Sequence, residues 1–350
     1  MFAHIARAWP EAPVYTALYD ERVCGDLVPA ARVHTSFLQH LPLANRNFRA
    51  LAPLYPAAFE SFDLRAYDLV VSSTTAWAKG VRTAPDAVHV CYINTPSRFV
   101  FAYDRYVGGF GIRALARPVV AWLSDWDFKA AHRPTAFIAN SHNVAARVRR
   151  YYGRDAFVLP CPVDVERFSI GRGSGDYYLV LSRLLPYKNI DRAIDAAKLA
   201  GVRLLVAGEG PALEALRRHA RGTTTEMLGF VPDAQIAALV GEARAVIVPG
   251  EEDFGLVPLE AAAAGRPAIA LRSGGALETI DEGVTGVFFD EPNAESLAAI
   301  LRAFEPGRFD ARRLRGHAEQ FAPPMFIARL RALVGEIAQR TQDSARGAVT

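Results

Sequence analysis

Two glutamates eight residues apart frame a glycine turn in the segment EEDFGLVPLE, residues 251–260. Gly255 lets the backbone turn tightly and come close to a ligand. Just after it, the free N–H groups of Leu256 and Val257 open a helix, an arrangement that attracts phosphate. Glu252 stands before that helix and Glu260 two turns along it. Carboxylates near a phosphate are unfavourable unless they have donors to accept from. One carboxylate suits the hydroxyls of a sugar, the other the two adjacent hydroxyls of a ribose. As spacing alone this is weak, because an exposed Glu is the usual explanation. The order strand, Glu, Phe-Gly, helix, Glu is what singles the segment out. A second loop, SRLLPYKN (182–189), carries Arg183 and Lys188. A fixed guanidinium and a flexible ammonium can neutralise a diphosphate from two directions; the alternative is a solvated pair of surface cations. Lys occurs only at 79, 129, 188 and 198, which makes its placement here informative.

Such residues need a scaffold that brings loop ends together. From residue 176 onward strand-like and helix-like segments alternate. YYLVL (177–181) reads as a strand buried on both faces, followed by a helix that Asn189 can cap. VRLLVAG (202–208), TEMLGF (225–230), AVIVPG (245–250), PAIAL (267–271) and GVFFD (286–290) repeat the pattern. The intervening helices lie at 211–220, 234–242 with Asp233 as cap, 256–264, a segment ending near Gly283, and 294–304. Repeated βα units of this length imply a parallel sheet covered by helices. The marked residues then share the carboxyl ends of the strands. VAGEGP (206–211), with Gly208, is a turn where backbone passes close to something. LGFVPD (228–233) offers Phe230 and Val231 to a base, and SGGALE (273–278) opens another helix. Each alone is a common αβ loop.

The first half has the same character. VYTALY (14–19), DLVVSS (68–73), AVHVCYI (87–93), TAFIAN (135–140) and AFVLP (156–160) are strand candidates, with helices at 111–131 and 142–152. Pro160, Pro162 and GRGSG (171–175) mark a joint. We expect domains at 1–168 and 176–320, then a helix within 321–350 that returns to the first domain. Two domains agree with 350 residues, 51% hydrophobic and 22% charged. The net charge of +3 and the lack of basic runs argue against nucleic acid. Cys24, Cys91 and Cys161 have no metal-ligand spacing and read as reduced thiols of a cytoplasmic protein. No apolar run reaches the ~20 residues of a membrane span, and the first residues lack a secretion signal. His4, His34, His40, His89, His132 and His142 have no constellation around them.

With these residues in view, the second half resembles retaining glycosyltransferases of family 4, in SRL-x(3)-K, G-E/D-G-P, E-x-FG-x(4)-E and GG-x(2)-E. HTSFLQHLPLA, YDLVVSS, HVCYINTPSRFVF and IANSHNVAARVRRYYG extend the resemblance to the first half, toward the O-antigen and exopolysaccharide mannosyltransferase branch that uses GDP-mannose. The resemblance implies an α/β GT-B fold, two Rossmann-like domains facing across a cleft, the first lacking its first strand. It implies that Arg183 and Lys188 contact the donor diphosphate, Glu252 the sugar and Glu260 the ribose. The turn of Phe254, Gly255, Leu256 and Val257 takes phosphates and sugar, and Phe230 and Val231 lie near the base. It implies no metal and no cofactor besides the donor, front-face attack, and no side-chain nucleophile. Two departures stand out. The family's first strand and GG-x-E loop should precede MFAHIARAWPEAPVYTALYD, which begins inside the first helix. Asn94 replaces the His of many relatives as the donor-sugar contact; it hydrogen-bonds but takes no proton.

Basic residues interleave with apolar ones in two stretches of the first half. Residues 108–129 mix Arg113, Arg117 and Lys129 with Phe110, Trp122, Trp126 and Phe128; residues 37–59 carry Arg46 and Arg49. Such stretches suit a membrane interface, hence peripheral attachment to the inner leaflet and a lipid-linked or oligosaccharide acceptor; an ordinary core helix is the alternative. A catalytically inactive nucleotide-sugar-binding subunit and a GT-B-fold epimerase are the competing functions.

Overall fold

The structure, a computed structural model, describes residues 1–46, 48, 50–97 and 110–347, and of residues 110–116, 345 and 347 only the backbone. The chain forms two compact units, Met1–Pro160 with Phe326–Thr350, and Cys161–Met325. In the first, α1 (Phe2–Ala8), β1 (Val14–Thr16), α2 (Glu21–Cys24), β2 (Val33–Thr35), α3 (Tyr55–Glu60), β3 (Leu69–Thr74) and β4 (Val88–Ile93) precede α4 (Phe110–Ala130). Then come β5 (Ala136–Ala139), α5 (His142–Tyr152) and β6 (Ala156–Val158). β1 and β2 form a two-stranded parallel sheet, and β3-β4-β5-β6 a four-stranded one.

β4 is buried at all six positions, as its apolar run and its partners on both edges require. His89 within it shares a 2.8 Å hydrogen bond with Ser72, and burial pushes the imidazole down to about 3, so it is neutral. α5 shows why its sequence is helical: Ser141 Oγ accepts from the Val144 N–H, and Gly153 closes the last turn at φ 64°. Beneath α4 and α5 lies a buried ionic network. Lys79 Nζ is 2.5 Å from Asp127 Oδ1, and Asp127 also accepts from Tyr152 Oη at 2.7 Å and Ser97 Oγ at 2.5 Å. Removing one partner of such a pair costs about 3–5 kcal/mol, because the other charge stays buried.

The second unit runs β7 (Tyr177–Leu181), α6 (Ile190–Ala200), β8 (Arg203–Ala207), α7 (Leu213–His219), β9 (Thr225–Gly229), α8 (Asp233–Glu242), β10 (Val246–Val248) and α9 (Leu256–Ala263). β11 (Ala268–Leu271), α10 (Ala276–Thr279), β12 (Gly286–Phe289), α11 (Ala294–Ala303) and α12 (Ala311–Glu319) complete it. Its parallel sheet has the order β12-β11-β10-β7-β8-β9. The order reverses between β10 and β7. In open α/β sheets this is where strand-end loops splay apart and leave a crevice for ligands. α13 (Pro323–Gly347) then joins the first unit, where the Phe326 ring meets Tyr92 at 5.8 Å and Arg331 Nε donates to the Ala8 carbonyl at 2.6 Å.

Several local expectations change. β2 was not foreseen: VHT is too short and too polar to show a strand period. Asn189 precedes α6 but does not cap it through its side chain; its backbone is left-handed, φ 54°, and its amide reaches toward the Pro249 carbonyl at 3.5 Å. Asp233 is the first residue of α8 rather than its cap, because Pro232 takes the extended position before it. α10 stops at Thr279, short of Gly283. Trp126 turns inward instead of lining an outer face: its indole N–H donates to Glu60 at 2.7 Å and its ring meets Trp77 at 5.8 Å.

Candidate functional site

In the second unit the singled-out residues fall just beyond adjacent strand ends. Arg183 follows β7, Gly208 β8, Phe230 and Val231 β9, and Glu252 β10. Glycines let these ends converge. Gly208 adopts φ 137°, and a Cβ there would lie 1.9 Å from the Ser182 carbonyl oxygen; its N–H donates to Gly229 at 2.7 Å. Phe230 is 68% exposed, unusual for a phenylalanine, and so leaves a ring face open for stacking at the sheet edge.

At the reversal point the two loops flanking it meet through charge. Lys188 Nζ lies 2.6 Å from Glu252 Oε1, both side chains largely withdrawn from solvent, and the ammonium sits 5.2 Å from the Tyr187 ring centre. The main chain reinforces the pairing: a Cβ on Gly250 would meet the Lys188 backbone at 2.9 Å, and the Gly275 N–H donates to the Glu252 carbonyl at 2.9 Å. Arg183, by contrast, is exposed and makes no ion pair among the described residues. Thus one cation is held in place by an acid and the other is free to move toward an anion.

α9 starts at Gly255, whose φ of 97° and ψ of 59° are open to glycine. A Cβ there would stand 2.7 Å from Thr279 Oγ1. No side chain caps the helix, so its first N–H groups, those of Leu256 and Val257 among them, remain available with the positive end of the helix dipole. The Phe254 ring is buried against Phe321 at 6.2 Å, which leaves its backbone as the part of the residue facing the turn. The Glu260 side-chain carboxyl accepts no hydrogen bond from the described residues, and burial pushes it up to about 7, with Arg167 opposing and Asp233 adding to the rise. A half-buried carboxyl with no protein donor is open to accept from a ligand.

Asn94 belongs to the other unit, at the end of β4, where its side chain donates to the Thr74 carbonyl at 3.2 Å and its own carbonyl accepts from Asn140. Arg167, which pairs with Asp233 at 3.3 Å and favours ionised Glu260, escaped the sequence reading. It lies outside any strand-end loop, so no pattern marks it. Among the described residues no group of three His, Cys, Asp or Glu could hold a metal ion.

Residues 162–321 match the family model for glycosyl transferases group 1, and residues 3–167 that for Glycosyltransferase Family 4. The GDP-mannose-dependent alpha-(1-6)-phosphatidylinositol dimannoside mannosyltransferase of Mycobacterium tuberculosis is 35% identical over 167 residues, 46% of this chain and 44% of that protein. The glycogen synthase of Pseudomonas paraeruginosa is 35% identical over 175 residues, covering 46% and 33%. The chain thus matches less than half the length of these curated relatives. Anabaena HepE in complex with UDP and glucose superposes with a TM-score of 0.67 at 16% identity, over 96% of this chain and 95% of that one. At that identity the likeness speaks for the fold alone, GT-B. With two overlapping family models matched from residue 3 to residue 321, the chain belongs to the group 1 and family 4 glycosyltransferases.

Proposed function

We propose that the chain transfers mannose from GDP-mannose to a saccharide acceptor with retention of configuration, in the building of a cell-surface polysaccharide. The observation that carries this reading is the meeting of Lys188, Glu252 and the uncapped start of α9 where the strand order reverses. In it Arg183, Lys188 and the α9 amides take the diphosphate, Glu260 the ribose and Glu252 the sugar hydroxyls. Phe230 and Val231 take the base, and Asn94 contacts the donor sugar. Arg183, Lys188 and a helix amino end supply the positive charge a metal would otherwise bring, so in this reading no metal or cofactor is needed. The leaving phosphate helps to deprotonate the acceptor. The mannosyltransferase named above supports the choice of sugar.

A thermal-shift panel of GDP-mannose, UDP-glucose, dTDP-glucose and ADP-glucose, followed by product analysis with lipid-linked saccharides, tests the reading. GDP-mannose should stabilise the chain most and yield an α-linked product. Stabilisation by none of the four would sink it, and a larger effect of ADP-glucose would replace mannose with glucose.

The acceptor is lipid-linked in this reading, reached by peripheral attachment to the inner leaflet. Trp122 and Phe128 on α4 and Leu43 and Phe48 before α3 are exposed, as are Arg46 and Arg117. Arg49, the side chains of Phe110 and Arg113, and residues 98–101 of the HVCYINTPSRFVF segment lie outside the described residues. Among the described residues no helix is long and apolar enough to cross a membrane. Flotation with anionic liposomes at low salt should carry the chain upward; a chain left at the bottom of the gradient would end the attachment reading.

A further inference from the structure

Three segments of the second unit close on Glu260. Residues 168–171, which lead toward β7, run along the end of α9. The Gly171 N–H donates to the Ala264 carbonyl at 3.0 Å, and Arg315 Nη1 of α12 donates to the carbonyls of both Phe168 and Ala263. Glu260 lies one turn back from these residues on α9. Arg167, next to Phe168, stands near enough to act on its carboxyl. The same guanidinium reaches the start of α8, with Nη2 at 3.2 Å from the Asp233 carbonyl oxygen and 3.3 Å from Oδ1. That acid is a poor partner, because its side chain is 87% exposed, and ion pairs so wet are weak. Arg167 and Asp233 act on Glu260 in opposite senses. The other charged groups around α9 are engaged elsewhere: His317 of α12 with the Thr279 carbonyl, Glu242 of α8 with Ser174, and Arg266 with the Gly171 carbonyl; α10 carries Glu278.

We propose that Arg167 is a positioning residue of the nucleotide pocket, whose guanidinium passes from Asp233 to Glu260 as that carboxyl ionises to receive ribose hydroxyls. Asp233 then opposes nucleotide binding and Arg167 promotes it, which rests on the reading of Glu260 as the ribose acceptor. Two hydroxyl donors favour the carboxylate but leave a negative charge shielded from water, and an opposite charge within about 4–6 Å favours that form further. A guanidinium presents five donors in a fork and stays charged throughout the neutral range. The Glu260 proton leaves to solvent, while the ribose hydroxyls keep theirs and donate. The new pair is the stronger of the two, because Coulomb attraction rises as the surroundings become less polarisable. Asp233 directly follows Phe230, Val231 and Pro232, the turn proposed for the base. The exchange therefore links recognition of the base to recognition of the ribose.

Calorimetric titration of the full chain with GDP-mannose, from about pH 5.5 to about 8.5, tests this in the wild type, Arg167→Gln and Asp233→Asn. Arg167→Gln should bind about three- to tenfold more weakly at about pH 6 and within about twofold of wild type at about pH 8.5, where Glu260 is ionised in either chain. Asp233→Asn should go the other way, binding about two- to fivefold more tightly at about pH 6 and unchanged at about pH 8.5. A pair that merely anchors the start of α8 predicts equal weakening by both variants at every pH. That result, or profiles that superpose on wild type, overturns the proposal. Carbon-13 NMR of the Glu260 carboxyl without nucleotide, assigned with Glu260→Gln, separates this failure from that of the ribose reading. Titration midpoints that move up in Arg167→Gln and down in Asp233→Asn uphold the pairing even where GDP-mannose does not bind, and the ribose reading then falls alone. GDP-mannose binding with unmoved midpoints overturns the pairing alone.

Discussion

Lys188 and Glu252, sixty-four positions apart, join their side chains at 2.6 Å across the point where the strand order of the second unit reverses. Each neutralises the other. In the proposed reading a diphosphate arriving there competes for the ammonium, and a sugar hydroxyl then takes over the carboxylate.

Separate effects of the two residues follow. Lys188→Ala should weaken GDP-mannose binding by about 10- to 100-fold, the worth of a hydrogen bond to a charged group. Glu252→Gln should leave affinity within about threefold and lower turnover far more, because the proposed contact is with the reacting sugar. Calorimetric titration and single-turnover kinetics separate the two; equal affinity and unchanged rate in both variants would overturn the assignment.

Glu260 gives the site a pH dependence whose sign is fixed. Its carboxyl, raised from 4.5 to about 7, is favoured in the protonated form by the folded chain. Its burial therefore costs nothing below about 4.5, and the cost grows as pH rises toward 7. If ribose hydroxyls donate to the ionised form, as proposed, ligand binding below pH 7 must expel a proton. Affinity for GDP-mannose, whose diphosphate does not titrate here, should rise between about pH 5 and 7 and level off above. Glu260→Gln should bind weakly and flatten that profile; a wild-type affinity that is constant over the range would remove Glu260 from the nucleotide.

Gly255→Ala meets two obstacles, a left-handed backbone and Thr279 Oγ1 at 2.7 Å from the new methyl. A cost of about 1–3 kcal/mol is expected from the backbone alone. Scanning calorimetry should show a lower melting temperature of the second unit, and titration a loss of donor binding as the start of α9 shifts. Adding Thr279→Ala relieves the contact but not the φ, so it should restore only part of the stability. Full recovery would mean that the backbone strain is negligible.

The Lys79–Asp127 pair answers to a double-mutant cycle. Lys79→Met should lower stability by about 3–5 kcal/mol in urea, since Asp127 stays buried. Lys79→Met combined with Asp127→Leu should regain part of the loss. Recovery stays incomplete because Tyr152 and Ser97 lose their acceptor. Strictly additive effects would show that the pair is not coupled.

Much of this was legible in the residues themselves. β7 is continuous and apolar, and its run Tyr177–Leu181 coincides with the strand. Long, strongly periodic segments such as His142–Tyr152 carry their own caps, so local sequence suffices to place them. The Gly255 turn announces itself because glycine is the residue for a left-handed backbone before an uncapped helix. Weak local signals failed where neighbours decided the outcome. VHT became β2 only by pairing with β1, and Asn189 gave up its capping role to reach the loop after β10.

The sequence by itself determined the alternation of strands and helices, the glycine turns and the glutamates and cations at strand ends. These follow from backbone sterics and local periodicity, which act over a few residues. Only the tertiary structure decided which distant charges meet, that Lys188 is clasped by Glu252 while Arg183 stays free, and that burial raises Glu260 toward neutrality. Ion pairing, desolvation and strand pairing act through space, and the order of residues along a chain does not record them.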